Sequence, residues 1–338
     1  MRLLADASLP NLQECFLEPF NLQTYKDNDQ LKKFIVNSDI LLCRSTLKVN
    51  KQLLQNSPVR YVATASSGID HLDINYLADQ NIKYFDAKGS NAHAVADYVL
   101  ANVAYLQKTD LLQGKKVAVI GVGQVGSKVF KRLQSKGFEL IAIDPTKSLI
   151  DTSYNYGSMQ DLNQCDLITI HANLHNNKPN PSYNLFNVEV LKQLKPGCVI
   201  INASRGGIVN EDELLNTKKN LVYCTDVYLN EPDINKNIIN YATLCTPHIA
   251  GHSIEAKHNA VLQISQKLRC EFNFDTIDKP QSVMPSSQIA PNEDWQSYVL
   301  SLYNPKYETI KMKNAPDKKM AFKSLRKLHN FRHDFSAF

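Results

Sequence analysis

Along residues 1–91, short runs of β-branched and other apolar residues at 2–5, 40–45, 60–65 and 82–86 alternate with polar stretches of helix length. That rhythm predicts an α/β domain. At 94–106 apolar positions recur at helical spacing, and a polar stretch ending in Gly114 leads into a new strand at 116–120. Further strands are expected at 140–143, 167–171, 199–203, 221–225 and 243–245, separated by helix-length segments. A strand covered on both faces reads as a continuous apolar run, so these predict a parallel, doubly wound sheet rather than a sandwich. The pattern ends near Pro247, and 253–272 predicts one long amphipathic helix leading back to the first domain. Beyond Lys279 the composition changes, with Pro280, Pro285 and Pro291 preceding a basic tail. The expected fold is α/β: two doubly wound parallel-sheet domains, residues 1–92 with 252–280 and residues 93–251, then a small α+β module at 281–338.

Composition narrows this picture. At 338 residues and 43% hydrophobic, the chain exceeds one usual core. No apolar run approaches the roughly 20 residues that span a bilayer; the best, at 94–106, is broken by Asp97 and Asn102. Asp6 interrupts what would be the apolar part of a signal peptide, so a cytoplasmic protein without a membrane span is expected. The seven cysteines are scattered, with no Cys-x-x-Cys pair, which argues against disulfides and a structural metal. Of the formal charge of +5, residues 301–338 alone carry nine Lys or Arg against three acids. A phosphorylated ligand and a solvated basic face both account for that tail; a nucleic-acid role lacks a recognisable binding module.

The chemistry gathers in the second domain. Strand 117–120 runs into Gly121-Val-Gly123-Gln-Val-Gly126 and then a helix. Gly121 permits a tight turn, Gly123 lets backbone approach a pyrophosphate, and Gly126 lets helix pack on strand, which is the dinucleotide-binding arrangement. Asp144 ends the next strand, where an acid accepts from ribose hydroxyls and repels a 2′-phosphate, favouring NAD over NADP. In a parallel sheet the carboxyl ends of all strands share one edge. Arg205 in ASRGG, Asp226 and Glu231 in DVYLNEP, and His248 in TPHIAG all follow strands on that edge. His248 is the candidate base for a hydroxyl proton, and Glu231 would hold its ring in one tautomer. Arg205 suits a carboxylate, gripped through two parallel hydrogen bonds, and Asp226 is placed toward the nicotinamide. Taken singly, each also has a plainer structural reading: a surface ion pair, a satisfied core histidine, a helix start. Together they predict hydride transfer from the C2 carbon of a small 2-hydroxy acid.

At these residues the chain resembles the D-2-hydroxyacid dehydrogenase family over about residues 1–280. The likeness rests on the glycine loop, on Asn202-Ala-Ser-Arg-Gly206, on Glu231-Pro232 and on Thr246-Pro-His248, supported by Arg44-Ser45 and the run from Ala63 to His71. It implies a Rossmann NAD domain, a flavodoxin-like substrate domain, a phosphorylated 2-hydroxy acid substrate and a homodimer assembled through the C-terminal module, here shortened. By position it implies that Ser45, Ser66 and His252 contact substrate and that Gln124, Val125, Asp144, Asp226 and Gly251 contact NAD, with Arg205, Glu231 and His248 carrying the reaction. Ser66 stands where the family has threonine, and His252 where it has tyrosine. Arg44, Arg326 and Arg332 are hypothetical phosphate partners. A dehydrogenase for another acid, such as phosphoglycerate, glyoxylate or hydroxypyruvate, and an NAD-sensing binding protein without catalysis remain alternatives at this point.

Overall fold

The computed structural model describes residues 1–277, 294–329 and 332–335. Two compact units emerge, one built on Met1–Asn91 and the chain from Ser253, the other on Ala92–His252 and the described C-terminal residues. The first opens with β1 (Arg2–Asp6), α1 (Leu12–Cys15), β2 (Asn21–Tyr25), α2 (Asn28–Ile35), β3 (Ile40–Cys43), α3 (Lys51–Leu54), β4 (Tyr61–Thr64), α4 (Ile74–Asp79) and β5 (Lys83–Asp86). Its five strands are all parallel, in the order β2-β1-β3-β4-β5. Asp27, Asn50 and Asp73 start α2, α3 and α4 by accepting a first-turn backbone N–H. Strand β2 escapes the hydrophobic pattern because it is an edge strand whose residues alternate between exposed and half-buried along NLQT, with only Tyr25 buried.

The second unit runs α5 (Ala92–Lys108), β6 (Lys116–Ile120), α6 (Gly126–Ser135), β7 (Glu139–Ile143), β8 (Leu167–Ile170), α7 (Val188–Gln193), β9 (Val199–Asn202), α8 (Glu211–Asn216), β10 (Val222–Thr225), α9 (Lys236–Tyr241) and β11 (Leu244–Cys245). Its six parallel strands lie in the order β11-β10-β9-β8-β6-β7. The period-2 alternation sorts the strands' side chains into two cores. Val117, Val119, Leu167, Val199 and Ile201 pack with α5 and α6, while Ala118, Ile120, Ile168, Ile170 and Ile200 pack on the opposite face with residues of α7, α8 and α9. Coverage of both faces is why these strands read as unbroken apolar runs.

Helix α10 (Ile254–Glu271) belongs to the first unit, capped by Ser253 accepting from Ala256 N at 2.9 Å. It buries Val261, Leu262, Ile264 and Leu268 against Leu3, Ala5, Ile40 and Leu42, each such side chain contributing about 2 kcal/mol. The C-terminal segment corrects the expected α+β module. Among the described residues it is helical, α11 (Trp295–Leu302), α12 (Lys306–Asn314) and α13 (Lys318–Leu328), and it is part of the second unit; residues 278–293 of the expected boundary lie outside the described residues. Val299, Tyr303 and Phe335 join the core on the α5 face, while Met312, Ala321 and Phe322 join the other. The prolines signal a break in pattern, and the apolar residues beyond them still need a core to enter.

Candidate active site

The order of the second sheet reverses between β6 and β8, and ligands of open α/β sheets bind where the loops at such a reversal part. The loop after β6 is the glycine loop. Gly121 has φ +81°, and a Cβ there would lie 2.8 Å from Ala172 N; a Cβ on Gly126 would lie 1.9 Å from Gly121 O. A Cβ on Gly123 would meet nothing within 4 Å, so backbone there faces open space. Helix α6 starts at Gly126 with Val125 as N-cap and no side-chain cap, unlike α7, α8, α9 and α10, whose N-caps are Asn or Ser side chains accepting backbone N–H groups. Uncapped N–H groups at a helix start are donors for phosphate. Gln124 is exposed and Val125 half-buried beside them. Asp144 accepts from Val122 N and Lys147 N, both at 3.0 Å, which fixes its carboxylate beside the loop with lone pairs remaining for hydroxyl donors. His171, following β8, bonds Thr169 Oγ1 through Nε2 at 2.9 Å, and its buried Nδ1 has no protein partner. Burial pushes this ring down to about 3, so it stays neutral. An open glycine turn, an uncapped helix and a ready acid fit the adenosine-pyrophosphate end of NAD.

Farther along the same edge, β10 and β11 deliver the acid–base pair. His248 Nδ1 lies 2.7 Å from Glu231 Oε2. The other Glu231 oxygen accepts from Tyr228 N at 2.9 Å. Burial alone would raise the Glu231 carboxyl, but His248, the Tyr228 N–H and Arg326 together hold it below its ordinary range, so it is ionised. Arg326, on α13, reaches to 3.9 Å from the same Oε2 that meets His248. The sequence suggested Arg326 only as a phosphate partner; its place beside the dyad depends on tertiary packing of the C-terminal helix.

His248 has φ +57°, a left-handed backbone rare for a side chain of this size. What holds it there is Asp226, which is 1% exposed and accepts from Thr246 Oγ1 (2.6 Å), Ile249 N and Ala250 N (both 2.8 Å). Tyr98 extends the chain by bonding Thr246 Oγ1 at 2.7 Å. The observed work of Asp226 is therefore to pin the turn around His248, and any cofactor contact has to share oxygens already accepting three bonds. Arg332, also buried, donates to Ala94 O (2.6 Å), Ala250 O (2.9 Å) and His252 O (2.8 Å) and stacks over Tyr303. Both terminal nitrogens donate to carbonyls and the buried Nε has no hydrogen-bond partner, so the guanidinium is packed inside the second unit and not presented to a ligand at the surface. Gly251 lies in this same turn, and the His252 ring sits 6.0 Å from that of His329.

Arg205 follows β9, its loop shaped by Asn202, which accepts from Ser204 N (3.2 Å) and donates to Arg205 O (3.0 Å). The half-buried guanidinium donates to Ser204 O at 2.8 Å. Gly206 brings this loop against the one that carries Glu231: a Cβ there would lie 2.0 Å from Tyr228 O. In the first unit, Ser45 is exposed after β3 and Ser66 half-buried after β4, its carbonyl accepting from Ala87 N. His71, part of the motif carrying the resemblance, is half-buried and bonds Thr64 Oγ1 through Nε2 at 2.9 Å. Among the described residues no His, Cys, Asp and Glu group is arranged to hold a metal, and no helix is long and apolar enough to cross a membrane.

The NAD-binding domain of D-isomer specific 2-hydroxyacid dehydrogenases matches residues 91–250. Erythronate-4-phosphate dehydrogenase of Legionella pneumophila (strain Philadelphia 1) is 50% identical over 340 residues, covering 100% of this chain and 96% of that one. The Coxiella burnetii (strain RSA 493) protein of the same name is 33% identical over 349 residues, covering 100% and 94%. Among solved structures, NAD-bound 3-phosphoglycerate dehydrogenase of Entamoeba histolytica superposes with a TM-score of 0.67 at 21% identity, covering 81% of this chain and 95% of that one. NAD-dependent formate dehydrogenase of Staphylococcus aureus gives 0.65 at 22%, covering 82% and 98%; at such identities these two speak for the fold. The chain belongs to the D-isomer specific 2-hydroxyacid dehydrogenases, NAD-dependent oxidoreductases, alongside the erythronate-4-phosphate dehydrogenases of that family.

Proposed function

We propose that this protein oxidises the C2 hydroxyl of 4-phospho-D-erythronate, giving (R)-3-hydroxy-2-oxo-4-phosphooxybutanoate and NADH, a step toward pyridoxal 5′-phosphate. The observation that carries the substrate is identity of 50% along the whole chain to a relative of that name. The chemistry rests on His248 and Glu231. With Nδ1 bonded to Glu231 as a donor, Nε2 keeps its lone pair for the hydroxyl proton, and the ionised carboxylate stabilises the imidazolium as it forms. Arg205 pairs with the substrate carboxylate and draws electron density from the C2 oxygen. NAD, when bound, supplies the hydride acceptor. An acid–base pair favours this reading over a sensing protein without catalysis. A panel of 2-hydroxy acids and their 2-oxo partners, followed by NADH absorbance in both directions, should give the highest kcat/KM with the phosphoerythronate pair. Brisk turnover of phosphoglycerate or glyoxylate with none of that pair would reassign the substrate.

The protein is also read as a homodimer joined through its C-terminal helices. Support comes from Tyr307, Met320 and Leu328 on α12 and α13, which are 65%, 67% and 73% exposed although large and apolar. Sedimentation equilibrium should return twice the mass of one chain, and Met320→Lys should shift it toward one; a single-chain mass for the unaltered protein rejects the assembly.

A further inference from the structure

In the turn that follows Asp144, residues 145–150 are exposed apart from Lys147, which is half-buried. Its ammonium is turned inward by a bond: Nζ donates to Val122 O, inside the glycine loop, at 2.8 Å. An ordinary surface lysine would settle for an ion pair, and Asp151 Oδ2 is available, yet it lies farther off at 3.5 Å. The Tyr154 ring centroid is 5.3 Å from the same ammonium. Holding a lysine side chain in one conformation costs entropy, and water could satisfy a loop carbonyl equally well. What the lysine adds is a fixed direction. Gly121 N is already taken by Ile143 O at 2.9 Å, and Val122 N by Asp144 Oδ2 at 3.0 Å. The next N–H along the loop is that of Gly123. It shares one planar trans peptide with Val122 O, so the two point opposite ways and fixing the carbonyl fixes the N–H. This is the glycine whose backbone faces open space. A cation on the carbonyl also polarises the peptide, which makes its N–H a stronger donor.

We propose that Lys147 is a positioning residue for the cofactor: by gripping Val122 O it aims the Gly123 N–H, and the uncapped start of α6 beyond it, at the pyrophosphate of NAD. Lys147→Met keeps the length and apolar stem of the side chain and removes the donor. It should weaken binding of NADH and of ADP-ribose about 10-fold, roughly the worth of one charge-assisted hydrogen bond, read by NADH fluorescence and its displacement. Adenosine carries the ribose hydroxyls that Asp144 accepts from and no phosphate, so it should bind both proteins alike. Lys147→Arg, which keeps a cationic donor for Val122 O, should recover most of the loss. The loss should also persist from about 0.05 to 0.5 M NaCl, since the grip acts through a neutral peptide rather than through the charge of the ammonium on phosphate. Equal weakening of all three ligands would make Lys147 a prop for the whole turn, Asp144 included, and unchanged NADH binding would make it a surface lysine. Either result overturns the proposal, as does a loss that Arg leaves unrestored or that salt abolishes. None of these measurements uses a 2-hydroxy acid, so their outcome is independent of the substrate assignment.

Discussion

Replacing His248 by Asn should lower kcat by about 10²- to 10⁴-fold, the range for removing a general acid or base, while NADH binds with unchanged affinity. Asparagine is the informative choice because of the backbone. At φ +57° an alanine would keep the strain and lose every polar contact, whereas Asn accepts left-handed geometry readily and its amide N–H can still donate toward Glu231. The turn stays pinned by Asp226 through Thr246, Ile249 and Ala250, none of which uses the His248 side chain. What disappears is the Nε2 lone pair. KM should change much less than kcat, since a general base takes its proton chiefly as the hydride leaves. Activity within about tenfold of the unaltered protein would assign the base elsewhere.

That experiment isolates a residue legible in the sequence from a geometry that is not. Strands of both sheets stand out as apolar runs because helices cover both faces, and β2 is lost because an edge strand with polar neighbours carries no such signal. Glycine turn, Asp144, Glu231 and His248 can be read from residue type and order, since carboxyl ends of parallel strands must share an edge. The task of Asp226 cannot. A carboxylate at a strand end looks the same whether it faces a ligand or, as here, three donors of its own chain. Nor does a Pro-His-Ile run announce a left-handed histidine. Arg326 and Arg332 share one basic tail, yet one lies 3.9 Å from the Glu231 carboxylate and the other is buried against three carbonyls. Charge composition locates neither, because the difference lies in how α13 and the residues after it pack.

Gly206→Ala is expected to cost at least about 100-fold in kcat/KM although it adds one methyl group and touches no reacting atom. The added Cβ would stand 2.0 Å from Tyr228 O, 2.2 Å from Tyr228 C and 2.7 Å from Leu229 N. All three are backbone, so no side chain can swing aside. The opposing segment cannot yield freely either: Tyr228 N is bonded to Glu231 Oε1, Leu229 N to the buried Glu211 carboxylate, and Tyr228 OH to Thr246 O. Relief requires that the loop carrying Arg205 and the loop carrying Glu231 separate by about 1 Å or more, the scale on which a misplaced catalytic group loses about two orders of magnitude. Arg205 would then hold the substrate carboxylate out of register with His248. The signature is specific: kcat should fall with folding largely retained, and the NADH affinity set by the glycine loop and Asp144 should persist. Gly207→Ala is the control, since its nearest neighbours are side-chain atoms of Tyr183 at 3.3 Å, even though φ +85° makes it the more strained backbone. If the spacing of the two loops governs the reaction, Gly206→Ala loses activity and Gly207→Ala loses mainly stability. Equal activity losses in both would mean that backbone strain, and not the Arg205-to-Glu231 spacing, is what the glycines protect.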